Sequence, residues 1–125
     1  MKKILLFLLI VSFNSYGEWV EFHKEDDGVL HIDKSTIKEK DGYVYWWVMV
    51  DCGSGDSCTD SKKSLKAYMQ GDCKIGRWKE LTHFNYKQHM GKGKGESHNS
   101  DRNWKFLPPD ELHSKVLNYV CSYVD

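Results

Sequence analysis

The stretch Tyr43-Val44-Tyr45-Trp46-Trp47-Val48-Met49-Val50-Asp51 decides how the rest of the chain is arranged. Its first eight residues are all apolar or aromatic, and short Asp-Gly and Cys-Gly pairs bound it on either side. A run of this length, rich in β-branched and ring side chains, favours a β-strand over a helix. Alternation places Tyr45 and Trp47 on one face and Trp46 on the other, and neither face is polar. The stretch therefore predicts a central strand that is covered on both sides.

The N-terminus has the pattern of a secretory signal peptide. Two lysines precede an apolar run of ten residues, Ile4 to Phe13, which is too short to span a bilayer that needs about 20. Ser15-Tyr16-Gly17 then places small residues at the −3 and −1 positions of a cleavage site. We expect residues 1–17 to be a signal peptide and residues 18–125 to form one exported domain. A retained membrane anchor is the alternative.

The position of the first cysteine bears on where the exported protein resides. No cysteine follows the apolar run before Cys52, so the sequence does not predict a lipid anchor. After signal cleavage the chain is not expected to span a membrane. The expected locations are therefore the periplasm or the medium.

Charge balance excludes two classes of partner. The chain has 125 residues, with 18 basic and 18 acidic side chains. Cleavage would remove two lysines and no acid, leaving 16 basic residues against 18 acidic ones and a formal charge of −2. A near balance without a long basic run argues against binding to nucleic acid or to an anionic membrane surface.

Four cysteines allow three disulfide pairings. Cys52 and Cys58 bracket a loop of Gly, Ser and Asp that is short enough to be closed on itself, which leaves Cys73 to pair with Cys121. Export favours oxidation, and the spacing contains no Cys-x-x-Cys pair that would indicate zinc. We predict the disulfides Cys52–Cys58 and Cys73–Cys121, and no metal or other cofactor.

Alternating polarity predicts further strands around the central one, over Glu18–His23, Val29–Asp33, Lys63–Asp72 and Arg77–Tyr86. Residues Gln88 to Asn103 lack any hydrophobic period and are predicted to form a loop, followed by a short extended piece over Asn103–Leu107. A helix is predicted to open at Pro108-Pro109-Asp110, with an apolar stripe at Leu112, Val116, Tyr119, Val120 and Tyr123. The predicted fold class is α+β: a single antiparallel sheet with a C-terminal helix packed on it and tethered by Cys73–Cys121.

Catalytic and metal-binding patterns are weak in this sequence. His83, His89 and His98 form the densest group of histidines, but two of them fall in the predicted loop, where histidines are usually solvated. The sequence contains no Gly-x-Ser-x-Gly elbow. We expect a protein that is not an enzyme, with an undetected activity as the outside possibility.

Several short motifs recur in the order of a known family. They are Trp19-Val20-Glu21, Leu30 to Ile37, Asp72-Cys73, Met90 to Gly93, Trp104, Leu107 to Glu111 and Tyr119-Val120-Cys121. In this order the chain resembles the surface-adhesin protein E family of Gram-negative bacteria over nearly all of residues 18–125. The resemblance implies an antiparallel sheet, a C-terminal helix held by the Cys73–Cys121 disulfide, and binding to host extracellular proteins. Cys52 and Cys58 lie outside the pattern.

The sequence supports two hypotheses about function. In the first, the chain is an exported, adhesin-like protein-binding module, whose partner is a host extracellular protein or a second copy of the chain. The candidate contact residues are Tyr45, Trp46 and Trp47, because one helix can cover only one face of the central strand, and the sequence does not say which. In the second, it is a soluble, envelope-associated periplasmic protein with no host partner.

Overall fold

The computed structural model describes residues 17–53, 59, 62–106 and 111–124. In this part of the chain the elements are β1 (Trp19–Glu25), β2 (Gly28–Lys40), β3 (Tyr43–Cys52), β4 (Ser64–Asp72), β5 (Arg77–Tyr86), β6 (Gly95–Asn99), β7 (Lys105–Phe106) and the helix α1 (Leu112–Val124). A short 3-10 turn, His89–Gly91, lies between β5 and β6. The predicted signal peptide falls outside the described residues except for Gly17, and it stays a prediction.

The strands form one antiparallel meander. Their order across the sheet follows the chain from β1 to β6, and β6 and β7 pair with successive parts of the same edge of β5. Tight turns suit this connectivity, because antiparallel neighbours need no crossover. The predicted class, one antiparallel sheet with a C-terminal helix, is confirmed.

Local turn chemistry fixes two of the hairpins. Asp41-Gly42 joins β2 to β3 with φ of 54° and 86°, the two positive values that match the twist of a hairpin. Between β4 and β5, the Asp72 carboxylate accepts hydrogen bonds from the backbone N–H of Lys74 at 3.2 Å and of Ile75 at 3.3 Å. It also pairs with Arg77 Nε at 3.1 Å. These short-range contacts hold the register of the strands that they connect.

Strand β2 is longer than the sequence predicts. The sequence predicts a strand over Val29–Asp33 that continues through Lys34–Lys38 as a bend or a short strand. The structure has one continuous strand to Lys40, with an irregular register between Asp33 and Lys38. There the Thr36 hydroxyl donates to the Asp33 carbonyl at 2.7 Å and accepts from the Trp47 N–H at 3.1 Å. A side-chain hydroxyl thus replaces the missing backbone partner, so the strand passes through the bulge without ending.

The prediction of a loop over Gln88–Asn103 is wrong in its second half. Residues Gly95–Asn99 form β6 and pair with β5 at the edge of the sheet. Their sequence, Gly-Glu-Ser-His-Asn, has no apolar residue and so carries no alternation. An edge strand of this kind is held by backbone hydrogen bonds, which do not depend on the pattern of apolar side chains and so cannot be predicted from it.

The core lies between α1 and one face of the sheet. That face of β3 carries Val44, Trp46 and Val48, all buried, and α1 packs over β2 and β3. Gly71 of β4 permits the approach, because a Cβ at that position would overlap Leu117 and touch the ring of Trp46. The helix therefore covers the Trp46 face, a choice that the sequence left open.

The buried side of α1 differs from the predicted stripe. Val116 and Val120 are buried as predicted, but Leu117 is buried as well, and Tyr123 is 50% exposed. The disulfide holds Cys121 toward the sheet, and Leu117, one turn earlier on the same side of the helix, is buried with it. The start of the predicted helix, at Pro108-Pro109-Asp110, lies outside the described residues.

The structure tests one of the two predicted disulfides. Cys73 and Cys121 are bonded, with their Cα atoms 6.0 Å apart, so this prediction is confirmed. Cys52 is also disulfide-bonded. Because Cys58 lies outside the described residues, the pair Cys52–Cys58 stays a prediction.

Candidate functional site

Four aromatic side chains form a continuous row across three strands on the face that α1 does not cover. The rings of Tyr45 and Tyr68 lie 6.0 Å apart, those of Tyr68 and Trp47 5.0 Å, and those of Trp47 and Phe84 6.1 Å. All four side chains are half-buried. We call Tyr45, Tyr68, Trp47 and Phe84 the aromatic row.

The segment after β5 covers one end of this face. Asp51 Oδ1 accepts from the Met90 N–H at 2.8 Å, and Ser64 Oγ accepts from the Gly91 N–H at 2.9 Å. The segment therefore lies across β3 and β4, and Met49 beneath it is completely buried. Gly91 has φ of 64°, a left-handed conformation that favours glycine. The covering stops short of the aromatic row, which stays open.

Cations on aromatic rings border the other end of the row. Trp104 packs against Tyr43, with ring centroids 5.5 Å apart. The Arg77 guanidinium lies 4.2 Å and the Lys79 ammonium 4.5 Å from the centroid of the Trp104 ring. Each such cation–π contact contributes about 0.5–1 kcal/mol at an exposed site. Trp104 therefore lies beside the row between Tyr43 and two positive charges.

A third cation lies near the covered end. Lys66 Nζ is 5.5 Å from the Trp19 ring and 5.4 Å from the Tyr86 ring. Burial raises the pKa of Tyr86, so its phenol stays neutral at physiological pH. The aromatic row thus has positive charge at both ends.

The three predicted contact residues do not share a surface. Tyr45 and Trp47 belong to the aromatic row, whereas Trp46 is 1% exposed and lies under α1 on the opposite face. Strand alternation separates them, as the sequence analysis anticipated. Tyr68 and Phe84 complete the row but were not predicted as contact residues. Alternation assigns Tyr68 and Phe84 each to one face of its own strand. Only the observed register shows that both lie on the same face of the sheet as Tyr45 and Trp47.

The histidines are dispersed. His83 and His98 stack on each other at 5.2 Å across the neighbouring strands β5 and β6, while His89 Nδ1 lies 3.2 Å from Asp51 Oδ1. Across residues 17–53, 59, 62–106 and 111–124, no group of three or more His, Cys, Asp or Glu side chains is placed to hold a metal ion.

One further histidine, His113, lies at the start of α1. Its ring stacks on the indole of Trp78 with centroids 4.0 Å apart and an angle of 11° between the planes. Burial lowers the pKa of His113 below the usual 6.5; Glu111 opposes this shift, and Lys105 adds to it. Stacking on Trp78 therefore favours the neutral form of His113.

We expect this histidine to make folding weaker in mild acid. Because the folded-state pKa lies below the unfolded value, the unfolded chain binds the proton more readily, and stability is lost as pH falls from 6.5 through the folded pKa. Urea unfolding at about pH 7.5 and about pH 5.5 measures the difference. His113→Phe keeps the ring but cannot titrate, so its loss over this interval should be smaller. An equal loss in both proteins would contradict the assignment.

The fold and the open aromatic face can now be compared with known proteins. The sequence profile of the family described as surface-adhesin protein E matches residues 19–122. That range contains all seven strands and most of α1. The chain belongs to this family. The resemblance inferred from the motifs is confirmed, and the chain is a surface adhesin-like module.

Solved structures of protein E from Haemophilus influenzae share the fold of this family member. One crystal form is 13% identical in sequence with a TM-score of 0.64, and the match covers 87% of this chain and 91% of that chain. A second has 13% identity, a TM-score of 0.63 and 87% coverage of both chains. The protein from a non-typeable strain has 14% identity and a TM-score of 0.61, covering 90% of this chain and 84% of that chain.

No curated protein matches the sequence significantly. The family and the fold indicate a non-enzymatic surface protein. Within the part of the chain that the structure describes, no helix has the length and apolar character needed to cross a membrane.

Proposed function

We propose that this adhesin E family member binds a host extracellular protein through the aromatic row. The observation that carries the proposal is that Tyr45, Tyr68, Trp47 and Phe84 are each partly exposed on a sheet face that α1 does not cover. Protein interfaces are enriched in Tyr, Trp, Phe and Arg, and Trp, Tyr and Arg dominate the residues that contribute most to binding.

The row is also ordered before a partner arrives. Each ring packs against at least one neighbour, and the row lies on three paired strands rather than on a loop. Side chains that are already fixed lose less conformational freedom on binding, which favours affinity. Lys66 and Lys79 near the two ends add positive charge that would steer an acidic partner surface into place.

Binding to individually purified plasma and basement-membrane proteins tests the proposal. Trp47→Ala should weaken binding to the partner about tenfold or more, because it removes the central ring of the row. Tyr123→Ala is the matched control, since Tyr123 is 50% exposed on α1, on the other side of the sheet. Equal affinities for the wild type and Trp47→Ala would contradict the role of the row.

Two further outcomes separate the alternatives. Fractionation of the producing cells should place the protein on the surface or in the medium, where host proteins can reach it. Retention in the periplasm, together with no binding across the panel, would instead support an envelope-associated protein without a host partner. If light scattering shows a dimer that Trp47→Ala dissociates, the row serves self-association.

A further inference from the structure

A buried carboxylate lies beside the predicted signal-peptide cleavage site. Asp33 of β2 is 5% exposed. Its Oδ1 atom accepts from the Glu18 N–H at 2.9 Å, the Ser35 N–H at 3.1 Å and the Ser35 hydroxyl at 2.6 Å. No basic side chain in the described part of the chain forms an ion pair with Asp33. Burying a carboxylate without a cation is costly, and the uncharged donors offset this cost only in part.

The backbone holds Glu18 against this carboxylate. The Glu18 carbonyl accepts from the Lys34 N–H at 3.0 Å, and the next residue, Trp19, pairs with Asp33 in the register of β1 with β2. These contacts involve only residues from 18 onward, so they remain after residues 1–17 are removed. On its other side the carboxylate lies against Gly17, where a Cβ would overlap Asp33 Oδ2. Removal of Gly17 therefore opens space beside the second carboxylate oxygen.

Signal-peptide cleavage changes the chemistry of the Glu18 nitrogen. Hydrolysis of the Gly17–Glu18 bond adds the water oxygen to the Gly17 carbonyl carbon, and the resulting carboxylate leaves with the signal peptide. The Glu18 nitrogen becomes a primary amine, which is mostly protonated at neutral pH because an α-amino group has a pKa of about 7.7–8.0. Cleavage thus replaces an uncharged N–H beside Asp33 with a positively charged group that can donate three hydrogen bonds.

We propose that Asp33 binds the α-ammonium group of the processed chain, so that cleavage after Gly17 completes a partly buried ion pair. The proposal rests on the predicted cleavage site and is independent of what the aromatic row binds. Charge-assisted hydrogen bonds are about twice as strong as neutral ones. The new pair fixes the start of β1, an edge strand whose only neighbour in the sheet is β2. The exported domain therefore gains stability when its signal peptide is removed, and the precursor lacks this contribution.

Two exported proteins that differ only at the start of the processed chain test the ion pair. The first is the wild type, and the second has Asn-Gln-Gly inserted between Gly17 and Glu18. The insertion keeps a glycine beside Asp33 but leaves Glu18 with a peptide N–H, and intact mass establishes both N-termini. In urea unfolding at about pH 7, the unfolding constant of the wild type should be about tenfold smaller. Equal constants, or a wild-type chain that does not begin at Glu18, would overturn the proposal.

Asp33→Asn in both proteins separates the ion pair from any effect of the extra residues. The amide keeps an accepting oxygen but has no charge, so the difference between the two proteins should fall from about tenfold to less than about twofold. Lys34→Gln is the matched control, since it removes only the exposed pair of Lys34 Nζ with Glu18 Oε2 at 3.6 Å. A difference that persists in Asp33→Asn, or disappears in Lys34→Gln, would refute the assignment.

A second measurement decides the question if Asp33→Asn does not fold. An amine-reactive ester at about pH 7 should modify the α-amine of the wild type about tenfold more slowly than that of the inserted form, because a paired ammonium stays protonated and only a free amine reacts. Mass spectrometry follows the reaction, and the exposed Lys24 should react equally in both proteins. Equal rates at the two α-amines would contradict the proposal.

Discussion

Trp46→Ala should lower the free energy of unfolding by about 3–5 kcal/mol, the range for removing a large aromatic side chain from a core. Trp46 is 1% exposed, lies under α1 and touches the position of Gly71. Its Nε1 atom has no hydrogen-bond partner among the described residues, so the loss comes from packing. Urea unfolding followed by circular dichroism measures it.

The neighbouring Trp47→Ala is the control for this prediction. Trp47 is only partly buried in the aromatic row, and its loss should cost roughly 1 kcal/mol of stability. The effects on partner binding should be reversed. Trp47→Ala should bind the partner weakly, whereas the folded fraction of Trp46→Ala should bind it with nearly normal affinity. Equal losses of stability in the two variants would contradict the assignment of Trp46 to the covered face of β3 and of Trp47 to the uncovered face.

Replacing Cys73 and Cys121 together by Ser should cost about 4 kcal/mol, because the bond closes a loop with a sequence separation of 48 residues. Domains of this size have about 5–15 kcal/mol of stability in total. The double variant avoids leaving a free thiol. Thermal and urea unfolding measure the loss. The wild type after reduction should be less stable than the double variant, because reduction also opens the disulfide of Cys52.

Cys52→Ser provides the comparison for the long loop. If Cys52 pairs with Cys58 as predicted, that loop is short and its removal should cost roughly 2 kcal/mol on the same entropy relation. The variant should therefore unfold between the wild type and the double variant. A loss as large as that of the double variant would show that loop length does not set the contribution of either bond.

The sequence predicts the fold well where hydrophobic alternation or turn residues are strong. Strand β5 has the predicted bounds, and the Asp41-Gly42 pair that bounds the central stretch forms a turn. Prediction fails where the pairing is carried by the backbone alone, as in β6, or where a side chain bridges an irregular register, as Thr36 does in β2. Neither situation produces an apolar period.

The candidate site was only half predictable, for a different reason. Alternation separates Tyr45 and Trp47 from Trp46, but both sets are apolar, so local sequence cannot say which one the helix covers. The choice depends on contacts far along the chain, such as Leu117 with Gly71 and the bond from Cys73 to Cys121. Trp104 joins Tyr43 from 61 positions away in the sequence, a contact with no local signal.

The close approach of α1 to β4 at Gly71 also constrains how this sequence can diverge. A side chain at this position would compete for the space that Leu117 and Trp46 occupy, so the three positions form one steric unit. During evolution, a change from glycine should be accepted only together with a smaller residue at position 117 or 46. Relatives with the same helix packing should therefore show covariation among these three sites. Glycine should persist wherever both large neighbours do.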